Sequence, residues 1–172
     1  YIENLKMLPE DERKRLLEGD WDAQSGMFFT EWSPTRHVVD DFDVPENWQI
    51  IMGWDDGTRE PRSVHLYAID NDQRVWCIWE YYKKEENLTE AAENIKRELQ
   101  AKNIWGRVYK CVVDPSMKRQ DSQTGLSSVD VLESMGYGFN IGSVELGNNN
   151  RVEGWRVMKS YLAHKPYEEP LL

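Results

Sequence analysis

The sequence is poor in the residues that staple small domains or hold transition metals. Its 172 residues include two cysteines and three histidines. They form no Cys-x-x-Cys pair and no Cys/His cluster, so a structural zinc site lacks ligands. Cys77 and Cys111 sit in apolar runs and read as buried, reduced thiols. No apolar run approaches the roughly 20 residues that span a bilayer, and the polar, acidic N-terminus is not a signal peptide. The expectation is a protein without membrane association. Basic residues are also scarce: 21 Lys and Arg face 31 Asp and Glu, a net charge of −10. A strongly basic domain would argue for nucleic acid directly. An acidic one does not exclude it, because binding follows the local field, but it predicts weak intrinsic affinity or help from a partner. The acidity is concentrated early, with 12 acidic against 5 basic groups in residues 1–50.

What the chain does have is aromatic surface: 8 Trp, 8 Tyr and 4 Phe. That much ring area must be buried, which points to one globular domain. The first residue is Tyr1, not Met, which suggests a piece of a longer protein.

Residues 9–18 read as a short helix, with Pro9 at its start, acidic residues in the first turn and Gly19 at its end. Residues 19–47 show no sustained period and read as an ordered arm that packs through its aromatics. From Trp48 the pattern changes. Residues 48–54 are an apolar strand stopped by Asp55-Asp56-Gly57. Residues 63–70 and 74–82 form a hairpin around Asn71-Asp72-Gln73. Residues 88–101 are the clearest helix, with Leu88, Ala91, Ala92, Ile95 and Leu99 on one face and Asn87 as cap. A fourth strand spans 107–113, followed by a polar loop over 115–127. A helix at 128–135 is capped by Ser128 and closed by Gly136. A short strand at 138–144 and a last helix at 150–163 follow, the latter with Val152, Trp155, Met158 and Leu162 inward. The order β-β-β-α-β-α-β-α implies an α/β fold with a mixed sheet flanked by helices, the order with which the ribonuclease H-like fold begins.

Two carboxylates stand out by placement. Asp55 ends the first strand and Asp114 the fourth, and in a mixed sheet those strands can lie side by side. Two carboxylates at one spot repel and raise their own pKa. A divalent ion removes the conflict, and hard oxygen ligands suit Mg²⁺ or Mn²⁺. Two such ions could activate a water and stabilise the leaving oxygen of a phosphodiester. The bland alternative is that Asp55-Asp56-Gly57 is a turn and Asp114-Pro115 a strand exit.

Other candidates are weaker. Glu80 reads as a solvent-facing strand residue. His37, His65 and His164 are scattered, with no nucleophile logic around them. Lys118 and Arg119 follow Asp114 in a loop that could hold a phosphate backbone, and Arg151 lies at the start of the last helix. Each has an alternative reading as an ordinary solvated charge. Asp55-Asp56-Gly57-Thr58 also fits the phosphate loop of actin-like ATPases, but that fold needs two large domains.

The sequence resembles the large subunit of tailed-phage terminases. The likeness runs through Tyr1-Ile2-Glu3-Asn4-Leu5, Leu17-Glu18-Gly19-Asp20-Trp21-Asp22 and Gly26-Met27-Phe28-Phe29. It continues in Pro45-Glu46-Asn47-Trp48, Gly53-Trp54-Asp55-Asp56-Gly57, Val113-Asp114-Pro115-Ser116 and Arg151-Val152-Glu153-Gly154-Trp155. The resemblance implies an arm at 1–45 leaving an ATPase domain of the same polypeptide, with a ribonuclease H-like nuclease domain at 46–172, truncated at its C-terminus. It implies a metal-dependent endonuclease that cuts concatemeric double-stranded DNA with low sequence preference. Asp55 and Asp114 match metal ligands for Mg²⁺ or Mn²⁺, two ions being expected. The implied partners are double-stranded DNA, a portal protein and a small terminase subunit, in the host cell cytoplasm. The family's third acidic ligand, near a His-x-x-Asp-Ala-x-Arg-Tyr stretch, has no match here. A non-catalytic docking piece of the packaging motor, or a resolvase- or integrase-type nuclease of the same fold, are the alternatives.

Overall fold

Alternation and turn chemistry set the strands. The computed structural model describes residues 29–57 and 60–163. The helix expected at 9–18 and His164 lie outside them. β1 (Gln49–Asp55) buries Ile50, Met52 and Trp54 on one face. Ile51 and Gly53 stay half-buried on the other, where Asp55 is exposed. β2 (Arg62–Ile69) repeats the period with Val64, Leu66 and Ala68 buried. It pairs antiparallel with β1, Asp55 opposite Ser63 and Gly53 opposite His65. β3 (Val75–Lys83) pairs antiparallel with β2 as the expected hairpin, with a register shift between Leu66 and Tyr67.

The turn between them is held by Asp70. Its carboxylate accepts from the backbone N–H groups of Asp72 and Arg74 at 2.9 and 2.8 Å. Arg74 Nε donates to it at 2.6 Å and Trp76 Nε1 at 3.1 Å. Burial alone would raise its pKa. The Arg74 backbone N–H, the Trp76 indole and the Arg74 guanidinium outweigh that and lower it. A carboxylate lowered on folding stabilises fully above its unfolded value of about 3.9 and loses that contribution as pH falls through the folded value. Asp70→Asn should therefore melt earlier than the parent at pH 7, with a shallower fall in Tm towards pH 3. Melting curves at the two pH values check this.

α2 (Leu88–Ala101) forms as its period predicts. Ala91, Ala92, Ile95 and Leu99 are all fully buried. Asn87 and Glu90 close a capping box at its start. α2 links β3 to β4 (Val108–Val113), which lies parallel to β1. α3 (Ser128–Ser134) follows, capped by Ser127 rather than Ser128, because the Ser127 side chain accepts from Asp130 N and the Asp130 carboxylate returns the bond. The strand expected at 138–144 is a 3-10 turn at Phe139–Ile141, and the strand itself is two residues, β5 (Glu145–Leu146), parallel to β4. The sheet order is β3-β2-β1-β4-β5.

The core lies on the face of Ile50, Met52 and Trp54, under α2 and α3. Trp54, Trp105 and Phe139 surround the buried Tyr137, whose hydroxyl donates to Ala92 O at 2.7 Å. Tyr137→Phe removes that bond and leaves the Ala92 carbonyl with its helical partner alone, a cost of about 0.5–1.5 kcal/mol that urea melts would read.

Two further expectations fail. Cys77 is exposed, not buried, because on the edge strand β3 its side chain falls on the face away from the helices; Cys111 is buried as expected. The last helix, α4 (Arg151–Leu162), buries no residue, and Val152, Trp155 and Met158 are each about half exposed. Its apolar stripe exists, but it stays at the surface.

By compactness Asp40–Tyr161 form the larger unit. The described residues before Asp40 fall in the other unit, where α1 (Pro34–His37) follows Trp32, whose ring stacks on His37 at 5.1 Å. The start of the larger unit is clamped at the beginning of β1. Phe42 packs edge-on against Trp48 and Trp76, and Arg107 donates to Val44 O and Pro45 O at 3.1 and 2.6 Å. Among the described residues no helix is long and apolar enough to cross a membrane.

Candidate active site

The parallel pairing of β1 and β4 brings the two strand-end carboxylates together. Trp54 pairs with Val113, and Asp114 N donates to Trp54 O at 3.1 Å, so Asp55 and Asp114 are the next residues on neighbouring strands. Adjacent strands run about 4.8 Å apart. Alternation puts Asp55 on the face of Gly53, and Asp114 on the face of Val112. Both line an open cleft of about 310 Å³ at the carboxyl ends of the parallel strands, where ligands bind in open α/β sheets. The segment after β5 closes its far side, Gly147 N donating to Val113 O at 2.8 Å and Asn148 reaching the wall.

Asp114 is set by its local turn. It precedes Pro115, and its Oδ1 accepts from Ser116 N at 2.8 Å as the cap of the 3-10 turn Pro115–Lys118. Hydrogen bonds from Ser116 lower its pKa, with a smaller contribution from the charge of Arg151. Mutual repulsion was expected to raise it. The direction is the reverse, because the turn supplies donors that the spacing of acidic residues does not reveal. Asp114→Asn should therefore not gain stability, contrary to what carboxylate repulsion alone predicts.

Asp56 does not join the pair. It turns from the cleft and forms an ion pair with Arg62, both side chains under 10% exposed. Arg62 Nη1 also donates to Glu86 O and Asn87 O at 3.1 and 3.3 Å, tying the end of β1 to the start of α2. Gly57 completes the turn: a Cβ there would lie 2.5 Å from Glu60 O, so no larger residue fits.

The remaining candidates separate. Arg151, at the start of α4, is the charge that acts on Asp114. Lys118 is exposed and acts on Asp130 instead. Arg119 is exposed on the loop beyond. Glu80 is exposed on β3, with an oxygen 3.8 Å from His65 Nε2. His37 is not at the cleft, whereas His65 lines it. Histidine scatter along the chain hid this. The alternation of β2 opposite β1 was the signal that could have found it. Among the described residues no group of three or more His, Cys, Asp or Glu side chains is placed to hold a metal ion. Asp55 and Asp114 are hard oxygen ligands of the kind that Mg²⁺ and Mn²⁺ take.

No family model and no curated protein matches the chain. Solved structures do. The large terminase from a thermophilic bacteriophage, in complex with ATP-gamma-S, superposes with a TM-score of 0.63 at 19% identity, over 79% of this chain and 32% of that one. The P22 large terminase nuclease domain superposes at 0.52 with 16% identity, over 80% of this chain and 69% of that one. The chain spans about a third of the thermophilic phage protein. The fold is therefore ribonuclease H-like, that of the terminase nuclease domain.

Proposed function

We propose that this chain is the nuclease portion of a viral DNA-packaging terminase and that it hydrolyses phosphodiesters of double-stranded DNA with low sequence preference. The observation that carries the reading is the pairing of Asp55 with Asp114 at the carboxyl ends of β1 and β4, in an open cleft of this fold. The sequence resemblance in Gly53-Trp54-Asp55-Asp56-Gly57 and Val113-Asp114-Pro115-Ser116 supports it independently of the superposition.

Asp55 and Asp114 would hold the metal, two ions of Mg²⁺ or Mn²⁺. Bound there, the ions would polarise the phosphodiester and make a water nucleophilic near neutral pH. The chain's own residues prepare that site. Hydrogen bonds from the Ser116 hydroxyl and N–H, with a smaller contribution from the Arg151 charge, hold the Asp114 carboxyl below the usual carboxylate range and favour its charged form. The Asp56–Arg62 pair fixes the end of β1 and so holds Asp55 level with Asp114. The cleft is open, which suits a duplex rather than a small molecule. Lys118, Arg119 and Arg151 lie near the same end of the sheet and would meet the phosphate backbone, a contact that carries no sequence information. With so few basic groups, the DNA would be held chiefly by an ATPase domain of the same polypeptide, a portal protein and a small terminase subunit, in the host cytoplasm.

The pair lacks a third carboxylate among the described residues, and this favours a second reading, a docking piece of the motor that does not cut. Nicking of supercoiled plasmid in Mn²⁺, Mg²⁺ or EDTA separates the two. Nicking in either metal that stops in EDTA supports the nuclease. Its absence under all conditions, at a folded melting profile, supports the docking piece.

A further inference from the structure

Beside the two carboxylates the cleft has a second wall whose residues the proposed hydrolysis does not use. It is built by Gly53, Ser63, His65 and Tyr67. Both rings of this wall lean towards the carboxylate end of the sheet. Tyr67 faces Ile51 across the strand pair, yet its Cε2 lies 3.5 Å from where a Cβ of Gly53 would be, one step nearer Asp55. His65 faces Gly53, yet its Nδ1 lies 3.3 Å from Ser63 Oγ, and Ser63 is the cross-strand partner of Asp55. The two rings are stacked, with centroids 5.9 Å apart and planes 21° from parallel. The imidazole is thereby held in the row of Asp55.

Its chemistry is open. Nδ1 is engaged with Ser63, and Glu80 is 3.8 Å from Nε2, beyond hydrogen-bond reach. The side chain is 28% exposed. With the Ser63 hydroxyl donating to Nδ1, the neutral imidazole carries its N–H at Nε2, where it is available to an acceptor in the cleft. Gly53 points the same way. A central strand is a costly place for glycine, by roughly 0.5–1 kcal/mol against alanine. Yet a Cβ at Gly53 would meet only an ordinary van der Waals neighbour, so packing within the chain does not demand it. Glycine inside a strand often marks a bulge or the close approach of a ligand or another backbone; the irregularity in β1 lies at Ile50–Ile51, away from Gly53, and the open space beside Gly53 is lined by His65, Val112 and Asp55.

We infer that Gly53 and His65 form a phosphate subsite, in which a phosphate of the strand being cut lies over Gly53 and accepts a hydrogen bond from the His65 imidazole. The inference rests on the nuclease reading for its substrate class, a phosphodiester strand. His65 then sets where the strand lies relative to Asp55 and Asp114, and the stack on Tyr67 holds the ring in place.

The test compares the full chain with His65→Ala and His65→Gln, alongside Asp55→Asn. Two readouts are taken: KM and kcat for plasmid nicking in Mn²⁺, and anisotropy of a short labelled duplex in EDTA. Losing one hydrogen bond to a charged phosphate should raise KM about tenfold in His65→Ala, with kcat nearly unchanged. Duplex binding in EDTA should weaken by a similar factor, and His65→Gln, which keeps an N–H donor, should recover most of both. Unchanged KM and duplex binding in His65→Ala would overturn the subsite, while nicking lost in Asp55→Asn would leave the nuclease standing. A KM rise that follows a lowered Tm and is not recovered by Gln would also overturn it, as the ring would then be structural. Duplex binding lost in His65→Ala, with no nicking by any form, would support the subsite and remove the nuclease. A parent chain that neither binds nor nicks would overturn both.

Discussion

Asp55→Asn is expected to abolish metal-dependent nicking while leaving the fold unmoved. The carboxylate is exposed at the last position of β1 and contributes nothing to the buried face. Its Asn replacement keeps size and shape and removes the charge that would hold a divalent ion. Losing about 3 kcal/mol of transition-state stabilisation corresponds to a rate fall of at least a hundredfold. The expected record is a Tm within a degree or two of the parent, since surface substitutions stay within about 0.5 kcal/mol, together with supercoiled plasmid that survives in Mn²⁺. Retained nicking would show that the cleft is not where hydrolysis occurs. A large drop in Tm would show that Asp55 is part of the scaffold.

One residue further on, the opposite result is expected. Asp56 and Arg62 form a nearly buried ion pair, and Arg62 also satisfies two carbonyls at the start of α2. Removing one partner leaves the other charge buried without compensation. Such losses run to about 3–5 kcal/mol, or roughly 10 °C in Tm for a chain of this size. Arg62→Ala should show the larger effect, because Glu86 O and Asn87 O lose their donor as well. The double change Asp56→Ala with Arg62→Ala should cost less than the sum of the two, as coupled partners do. Additive losses in thermal melts would mean that the pair does not act as a unit. The expected non-additive loss, beside an unmoved Tm in Asp55→Asn, would give the adjacent aspartates separable duties, Asp55 for chemistry and Asp56 for the geometry beneath it.

The carboxylate pair was legible because each Asp stops an apolar run, and the hairpin leaves the first and fourth strands free to meet. α2 was legible because Ala91, Ala92, Ile95 and Leu99 repeat at helical spacing behind a capping Asn87. The pairing of Asp56 with Arg62 was not, since a buried partner six residues away looks like any charged loop. His65 was missed because its neighbourhood is made by pairing across β1 and β2, not by distance along the chain. α4 shows the limit of periodicity. A stripe of Val152, Trp155 and Met158 states which residues share a side, but not how deeply that side is buried. β5 is too short to have a period. Its pairing with β4 and the bond from Gly147 to Val113 O beyond it define it.

The clamp of Phe42, Trp48, Trp76 and Arg107 sits where β1 begins, and the carboxylates sit where β1 ends. β1, seven residues long with Asp55 as its last, runs about 20 Å between them. Tension entering the larger unit along its leading segment therefore arrives at the far pole of the sheet from the cleft. It is taken up by ring contacts and by two hydrogen bonds to carbonyls, not by the loops that carry Asp55 and Asp114. The contacts that anchor the leading segment and the pair Asp55 and Asp114 thus stand at opposite ends of β1 and share no residue.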